Sequence, residues 1–217
     1  MNYRNSLSEA ERNKVKLSRV CVVGCGGLGG YVAEYLLRLN VGKVVAVDGD
    51  VFSESNLNRQ LLCKKNTLGM NKAEAVKQRA GEIESASEVA AVSAFLTADN
   101  AEEIIADCDI VIDALDSLDA RRILHSACSK KGIPMVFGAI GAWKLQYAVL
   151  MPNCRFLERM EEMPEYHGED MLSFIPAMCA SFEVAEAVKI LCGGKSEYEN
   201  KLCDIDLLAD EKLVIEL

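Results

Sequence analysis

Apolar residues in this chain come in short unbroken runs, separated by longer stretches with helical spacing. Residues 19–24 form an apolar run, residues 29–40 carry a 3.6-residue pattern, and Lys43-Val-Val-Ala-Val-Asp48 is a second run that ends in an acid. This order predicts a strand, a crossover helix and a strand. The alternation continues with a helix over 72–85, a strand over 89–96, a helix over 99–107 and a strand over 108–113. A helix over 119–131 and a strand over 134–138 follow. Runs with no polar interruption belong to strands covered on both faces, so the expected fold is α/β: a doubly wound, mostly parallel, Rossmann-like sheet.

After residue 140 the pattern changes. Residues 145–151 alternate weakly, and residues 152–175 are long, acidic and punctuated by proline. A helix over 176–192 is expected next, opened by Pro176 and ended by Gly193-Gly194. It places Ala177, Ala180, Val184, Ala187, Val188 and Leu191 on one face. The tail reads as a hairpin around Ala209-Asp210-Glu211, which adds antiparallel strands to the sheet. The expected organisation is one domain over 1–217: an N-terminal segment to residue 18, a core over 19–140, and C-terminal strands, acidic loop and helix over 141–217.

With 217 residues, 50% of them hydrophobic and 26% charged, the chain has material for a substantial core. A net charge of -9 disfavours a nucleic-acid surface, which needs clustered Lys and Arg. The polar N-terminus has no apolar signal region and no run is long enough to span a membrane, so a cytoplasmic protein is expected. The nine cysteines sit at apolar strand and helix positions, as Cys21, Cys108, Cys128 and Cys192 show, and most of them read as buried free thiols. No C-x-x-C pair exists and the histidines are only His125 and His167, so zinc is not expected.

The chemistry concentrates where strands end. Gly24-Cys-Gly26-Gly27-Leu28-Gly29-Gly30 joins a strand to a helix, where backbone N–H groups can approach a phosphate and the helix N-terminus faces its charge. Asp48 stands 24 residues after Gly24, in position to accept hydrogen bonds from ribose hydroxyls, which suits ATP and NAD equally. Asn56, Arg59 and Lys72 separate the two, because a nucleotidyl-transfer site must neutralise a triphosphate, for which a planar guanidinium and a compact ammonium are suited. Asp116, in Asp113-Ala-Leu-Asp116-Ser117, is placed to hold Mg²⁺ over phosphates, with Asp113 and Asp119 as rival ligands; Ser117 or Asp119 is alternatively a helix cap.

Gly24-x-Gly-Gly-Leu-Gly29, Asp48-x-Asp50, Ser55-Asn-Leu-Asn-Arg-Gln60, Gly69-x-x-Lys72 and Asp113-x-x-Asp116 resemble, in order and spacing, the ThiF/MoeB/HesA family, bacterial relatives of ubiquitin-activating enzymes. The Ser55 to Gln60 block is more specific than the glycines. The resemblance implies an ATP-dependent adenylyltransferase, working as a homodimer, that activates the C-terminal Gly-Gly carboxylate of a small ubiquitin-like sulfur carrier and releases pyrophosphate. It implies nucleotide contacts from Gly24, Gly26, Gly27, Leu28 and Gly29, from Asp48 and Asp50, and from Ser55, Asn56, Asn58, Arg59 and Gln60. It adds Lys72, Leu115, Asp116 and Ser117, with Asp116 as the Mg²⁺ ligand. The catalytic residues it implies are Arg59, Lys72, Asp116 and Arg4, the last reaching into the partner subunit's site from Tyr3-Arg4-Asn5.

The chain also departs from that pattern. Of the two C-x-x-C pairs that many members carry, only Cys154 remains. Residues 160–176 hold no cysteine for a thioester; Cys179, inside the late helix, is more economically a small core residue. The acidic segment 152–175 is a candidate cover for a carrier's extended tail. Two alternatives stand beside the main reading: a tRNA-modifying dehydratase of the same superfamily, disfavoured by the acidic balance, and an NAD-binding Rossmann protein, disfavoured by Arg59 and Lys72.

Overall fold

Ser8 and Glu11 spell a capping box, and they start a helix. In the computed structural model, which describes residues 6–156 and 171–217, the Ser8 side chain accepts from Glu11 N while Glu11 Oε2 accepts from Ser8 N at 2.8 Å. The helix is α1 (Glu9–Leu17), an element absent from the pattern-based expectation. Its polar sequence buries only Val15, too little apolar periodicity to be noticed.

The alternating core follows as expected: β1 (Arg19–Val23), α2 (Gly27–Arg38), β2 (Lys43–Val47), α3 (Lys72–Glu82), β3 (Glu88–Val92), α4 (Ala101–Ile104), β4 (Ile110–Asp113), α5 (Leu118–Lys131) and β5 (Met135–Gly141). After β6 (Lys144–Leu150) come the helix α6 (Phe174–Leu191) and the hairpin strands β7 (Lys201–Asp206) and β8 (Glu211–Glu216). The described strands form one eight-stranded sheet in the order β3-β2-β1-β4-β5-β6-β7-β8. Pairing from β3 through β5 is parallel and from β5 through β8 antiparallel.

The unbroken apolar runs are explained by burial on two faces. In β1, Val20 and Val22 join the cluster that holds Val32 and Leu36 of α2 and Val184 of α6, while Cys21 and Val23 join the one that holds Leu124 and Cys128 of α5. Between β1 and β4 the chain order reverses, and the space beyond their carboxyl ends is the crevice where ligands of such sheets lie.

Several boundaries differ from expectation for local reasons. β3 is only half-buried and stops at Val92, so Phe95 turns outward, 65% exposed, against Gly49. The helix expected over 99–107 shrinks to four residues, because only Ala101 and Ile105 find a core while Asn100 spends its side chain on Thr97 N and Phe95 O. α3 ends at Glu82, before Glu84 takes a φ of 51°. α6 begins two residues before Pro176, which occupies its first turn, where a missing N–H costs nothing. Its buried side carries two carboxylates, Glu183 and Glu186, that apolar spacing could not flag. Glu211 opens β8 instead of lying in the hairpin turn.

Gly29 sits where the helix α2 crosses the turn that feeds it, and a Cβ there would run into the carbonyl of Gly24. Gly29→Ala is expected to cost about 1–3 kcal/mol of stability by overpacking a junction made of backbone. A lower urea midpoint with unchanged slope checks this; an unchanged midpoint contradicts it.

Candidate active site

Gly24 makes the turn possible. Its φ of 91° is ordinary only for glycine, and a Cβ would meet the Ala114 carbonyl from the end of β4. Two β-strand ends therefore come within backbone contact, and Gly26, Gly27 and Leu28 open α2 with no side-chain cap on its first N–H groups. That leaves uncapped donors facing the crevice.

Asp48, just past β2, ties this turn down. Its Oδ2 accepts from Cys25 N at 2.7 Å and its Oδ1 from Asp50 N at 2.8 Å. Burial raises its pKa, opposed by those two N–H groups and by Lys72. Asn71 completes the same knot. Its amide donates to the carbonyls of Asp48 (2.9 Å) and Asp50 (3.0 Å), and its Oδ1 caps α3 by accepting from Ala73 N and Glu74 N. Lys72, next in sequence, is thereby held buried, with Nζ 3.0 Å from Asp50 Oδ2.

The block 55–60 folds as a turn of 3₁₀ helix followed by a bend. Asn56 Oδ1 accepts from Ser53 N at 3.1 Å, and Ser55 Oγ lies 2.8 Å from Ser53 Oγ. Arg59 Nη1 donates to the Ser55 carbonyl (3.0 Å) and to Asn58 Oδ1 (2.9 Å). Three of these polar residues thus shape the turn and aim one guanidinium. Gln60 is buried beside Gly26, and its Oε1 has no hydrogen-bond partner among the described residues.

These elements enclose a cleft of about 850 Å³. From the expected set, Gly24, Gly26, Gly27 and Leu28 line one wall, and Asp48, Asp50 and Lys72 another. Arg59 and Gln60 close it, and Leu115, Asp116 and Ser117 form the floor after β4. Gly29, Ser55, Asn56 and Asn58 stand behind this lining and support it. Arg4 lies outside the described residues, as does most of the segment 152–175.

The acids after β4 divide by environment. Asp113, weighed above as a metal ligand, is instead fully buried and paired with Arg121 Nη1 at 3.0 Å, with Leu115 N donating to its other oxygen. Asp119 pairs with Arg122, and Ser117 caps α5 by accepting from Ala120 N. Asp116 is exposed at the cleft and has no hydrogen-bond or ion-pair partner among the described residues, which leaves its carboxylate to a ligand. Among those residues no group of three or more His, Cys, Asp or Glu is arranged to hold a metal ion, so a cation at Asp116 would take its other oxygens from water or a substrate. Cys179 is buried with Sγ 3.5 Å from the Gln146 carbonyl, and burial pushes its thiol well up, the reverse of an activated nucleophile.

Arg121 was not singled out by sequence. Buried on α5, it pairs with Asp113, donates to the carbonyls of Leu115 and Gly138 (2.9 Å to the latter), and lies 4.7 Å from the Phe137 ring centre. One side chain thus joins the end of β4 to the middle of β5 under the cleft.

Comparison with known proteins agrees with this fold. A family model described as "ThiF family" matches residues 2–216. The chain belongs to the ThiF family. It is 33% identical over 198 residues to a SAMP-activating enzyme E1 of Haloferax volcanii, covering 88% of this chain and 73% of that protein. It is 34% identical over 209 residues to a sulfur carrier protein ThiS adenylyltransferase of Bacillus subtilis, covering 93% of this chain and 62% of that one. The crystal structure of Escherichia coli MccB with ATP superposes with a TM-score of 0.80 at 17% identity, over 95% of this chain and 66% of MccB, a likeness of fold. The chain thus spans between about three fifths and three quarters of these proteins' lengths. No helix among the described residues is long and apolar enough to cross a membrane.

Removing Arg121 would strand the buried Asp113 charge. Arg121→Met is expected to destabilise the fold by about 3–5 kcal/mol, and Asp113→Asn added to it to recover part of the loss. Thermal unfolding of the two variants checks this; equal losses in single and double variants contradict it.

Proposed function

We propose that this chain is an ATP-dependent adenylyltransferase that activates the C-terminal Gly-Gly carboxylate of a small ubiquitin-like sulfur carrier and releases pyrophosphate. The observation that carries the reading is the pairing of Arg59 and Lys72 with an unpartnered Asp116 around one glycine turn. A hydride-transfer site has no use for that set. The relatives named as a ThiS adenylyltransferase and a SAMP-activating E1 support the substrate class.

The chemistry follows from the residues. A carrier carboxylate oxygen attacks the α-phosphorus, the bond from that phosphorus to the bridging oxygen breaks, and pyrophosphate leaves with the electron pair. No proton moves, so the protein's task is positioning and charge stabilisation. The uncapped N–H groups of Gly27 and Leu28 face the phosphates, Asp48 takes the ribose hydroxyls, and Arg59 and Lys72 face the departing pyrophosphate. For Lys72 to do so it exchanges Asp50 for phosphate. Asp116 is the protein ligand for Mg²⁺, which when bound neutralises phosphate charge. A homodimer that places Arg4 of one subunit at the other's cleft, in the cytoplasm, belongs to the same proposal.

ATP–pyrophosphate exchange, run with carriers ending in Gly-Gly, tests it. Exchange is expected to require the carrier, and Arg59→Ala, Lys72→Ala and Asp116→Ala each to lower it on the order of 10²- to 10³-fold. Carrier-independent exchange, or full activity in Asp116→Ala, contradicts the assignment.

A further inference from the structure

Glu183 stands out among the described ionisable groups. It projects from α6 towards the sheet, is completely buried, and neither carboxyl oxygen has a hydrogen-bond partner among the described residues. An ionised carboxylate left so would carry a large desolvation cost. Its neighbour on the sheet is Gly138, where a Cβ would collide with the Glu183 carboxyl, so the strand has kept a glycine to admit the acid. The carbonyl of that same Gly138 accepts from Arg121. Glu183 therefore stands on one side of a backbone unit and the guanidinium on the other.

The groups around it define what its charge would do. Asp113 from β4 and Arg121 from α5 act on it through charge, and Cys179 lies one turn earlier on its own helix. Glu186, also on α6, is taken by Lys189 at 2.7 Å. β5 and β6 bring Gly138 and Gln146, and Tyr147 of β6 stacks on Phe182. On the α2 side, the Tyr35 hydroxyl meets the Ala177 carbonyl, and Glu34 is bound by Arg38 and Arg79. Lys14 of α1 reaches Cys192 O at the far end of α6. Among the described residues Arg121, already committed to Asp113, is thus the one cation that acts on Glu183, and burial together with Asp113 pushes the Glu183 carboxyl well above the usual range.

We propose that Glu183 is a positioning residue that works as a neutral acid: uncharged, it leaves Arg121 on the Leu115 and Gly138 carbonyls, and on losing its proton it draws Arg121 off them. Those carbonyls set the cleft floor from which Asp116 projects. A second buried carboxylate charge would then pull on the guanidinium that Asp113 already holds, and its weaker bonds to the carbonyls would give way first. The proposal rests on adenylation as the reaction that the floor serves, but the protonation state it requires is read without substrate.

Three measurements test it. Infrared difference spectra of wild type against Glu183→Gln should show the carbonyl stretch of a protonated carboxylic acid at neutral pH, and its absence overturns the proposal. In unfolding, the unfolded chain releases this proton near the ordinary carboxyl value of about 4.3 whereas the folded chain keeps it, so wild-type stability falls relative to Glu183→Gln as pH rises. The wild-type midpoint should therefore fall steadily relative to that of Glu183→Gln as pH rises above about 5, and a constant difference overturns the proposal. In pyrophosphate exchange, Glu183→Ala should lower kcat on the order of 10- to 100-fold with little change in KM for ATP; Glu183→Gln should keep the wild-type kcat at neutral pH and retain it at alkaline pH, where wild type is expected to lose it. Identical pH profiles for wild type and Glu183→Gln overturn the positioning role. If the infrared band and the stability slope are present while no carrier supports exchange, the adenylation reading fails and the neutral acid stands.

Discussion

A guanidinium buried between two neighbouring strands organises the working side of this protein. Arg121 pairs with Asp113 and donates to the carbonyls of Leu115 and Gly138, so one side chain ties the segment leaving β4 to the middle of β5. The pair earns little net stability by itself, since two desolvated charges mostly cancel their own cost. Its value is geometric. With the floor tied, Leu115, Asp116 and Ser117 come off β4 in one arrangement, against a glycine turn that already touches Ala114.

The cleft divides its polar residues into those that build and those left to act. Asn71, Asn56 and Asn58 spend their side chains on backbone or on a neighbour, and Asp48 is bound to two N–H groups. What remains directed at the cleft is a guanidinium, an ammonium that trades one carboxylate for another anion, an unpartnered carboxylate and a row of helix N–H groups. That set suits a polyphosphate losing its terminal part better than a neutral redox ring. It supplies charge and position, which are what in-line attack on phosphorus needs, and no general base, which it does not need.

Much of this was legible in sequence because the signals are local. Unbroken apolar runs gave the buried strands, glycines gave the turn, and acids at strand ends gave Asp48 and Asp116. The parallel core and antiparallel C-terminal strands came out as the pattern implied. What was missed depends on partners distant in the chain. Nothing near Arg121 announces Gly138, nothing near Glu183 announces that a glycine on β5 makes room for it, and nothing near Asn71 announces the Asp48 and Asp50 carbonyls it binds. Asp113 looked like a metal ligand because spacing shows a carboxylate and not the arginine that occupies it. The capping box that starts α1 was legible but lacked an apolar stripe to draw attention.

The central claim is that this cleft joins AMP to a carrier's terminal carboxylate. The most direct measurement is the intact mass of a carrier ending in Gly-Gly after incubation with the protein, ATP and Mg²⁺. The account predicts a carrier species heavier by one adenylyl group, absent when the terminal glycine is removed or when Asp116→Ala replaces the wild type. A carrier of unchanged mass, from a protein shown to bind ATP under the same conditions, would contradict it.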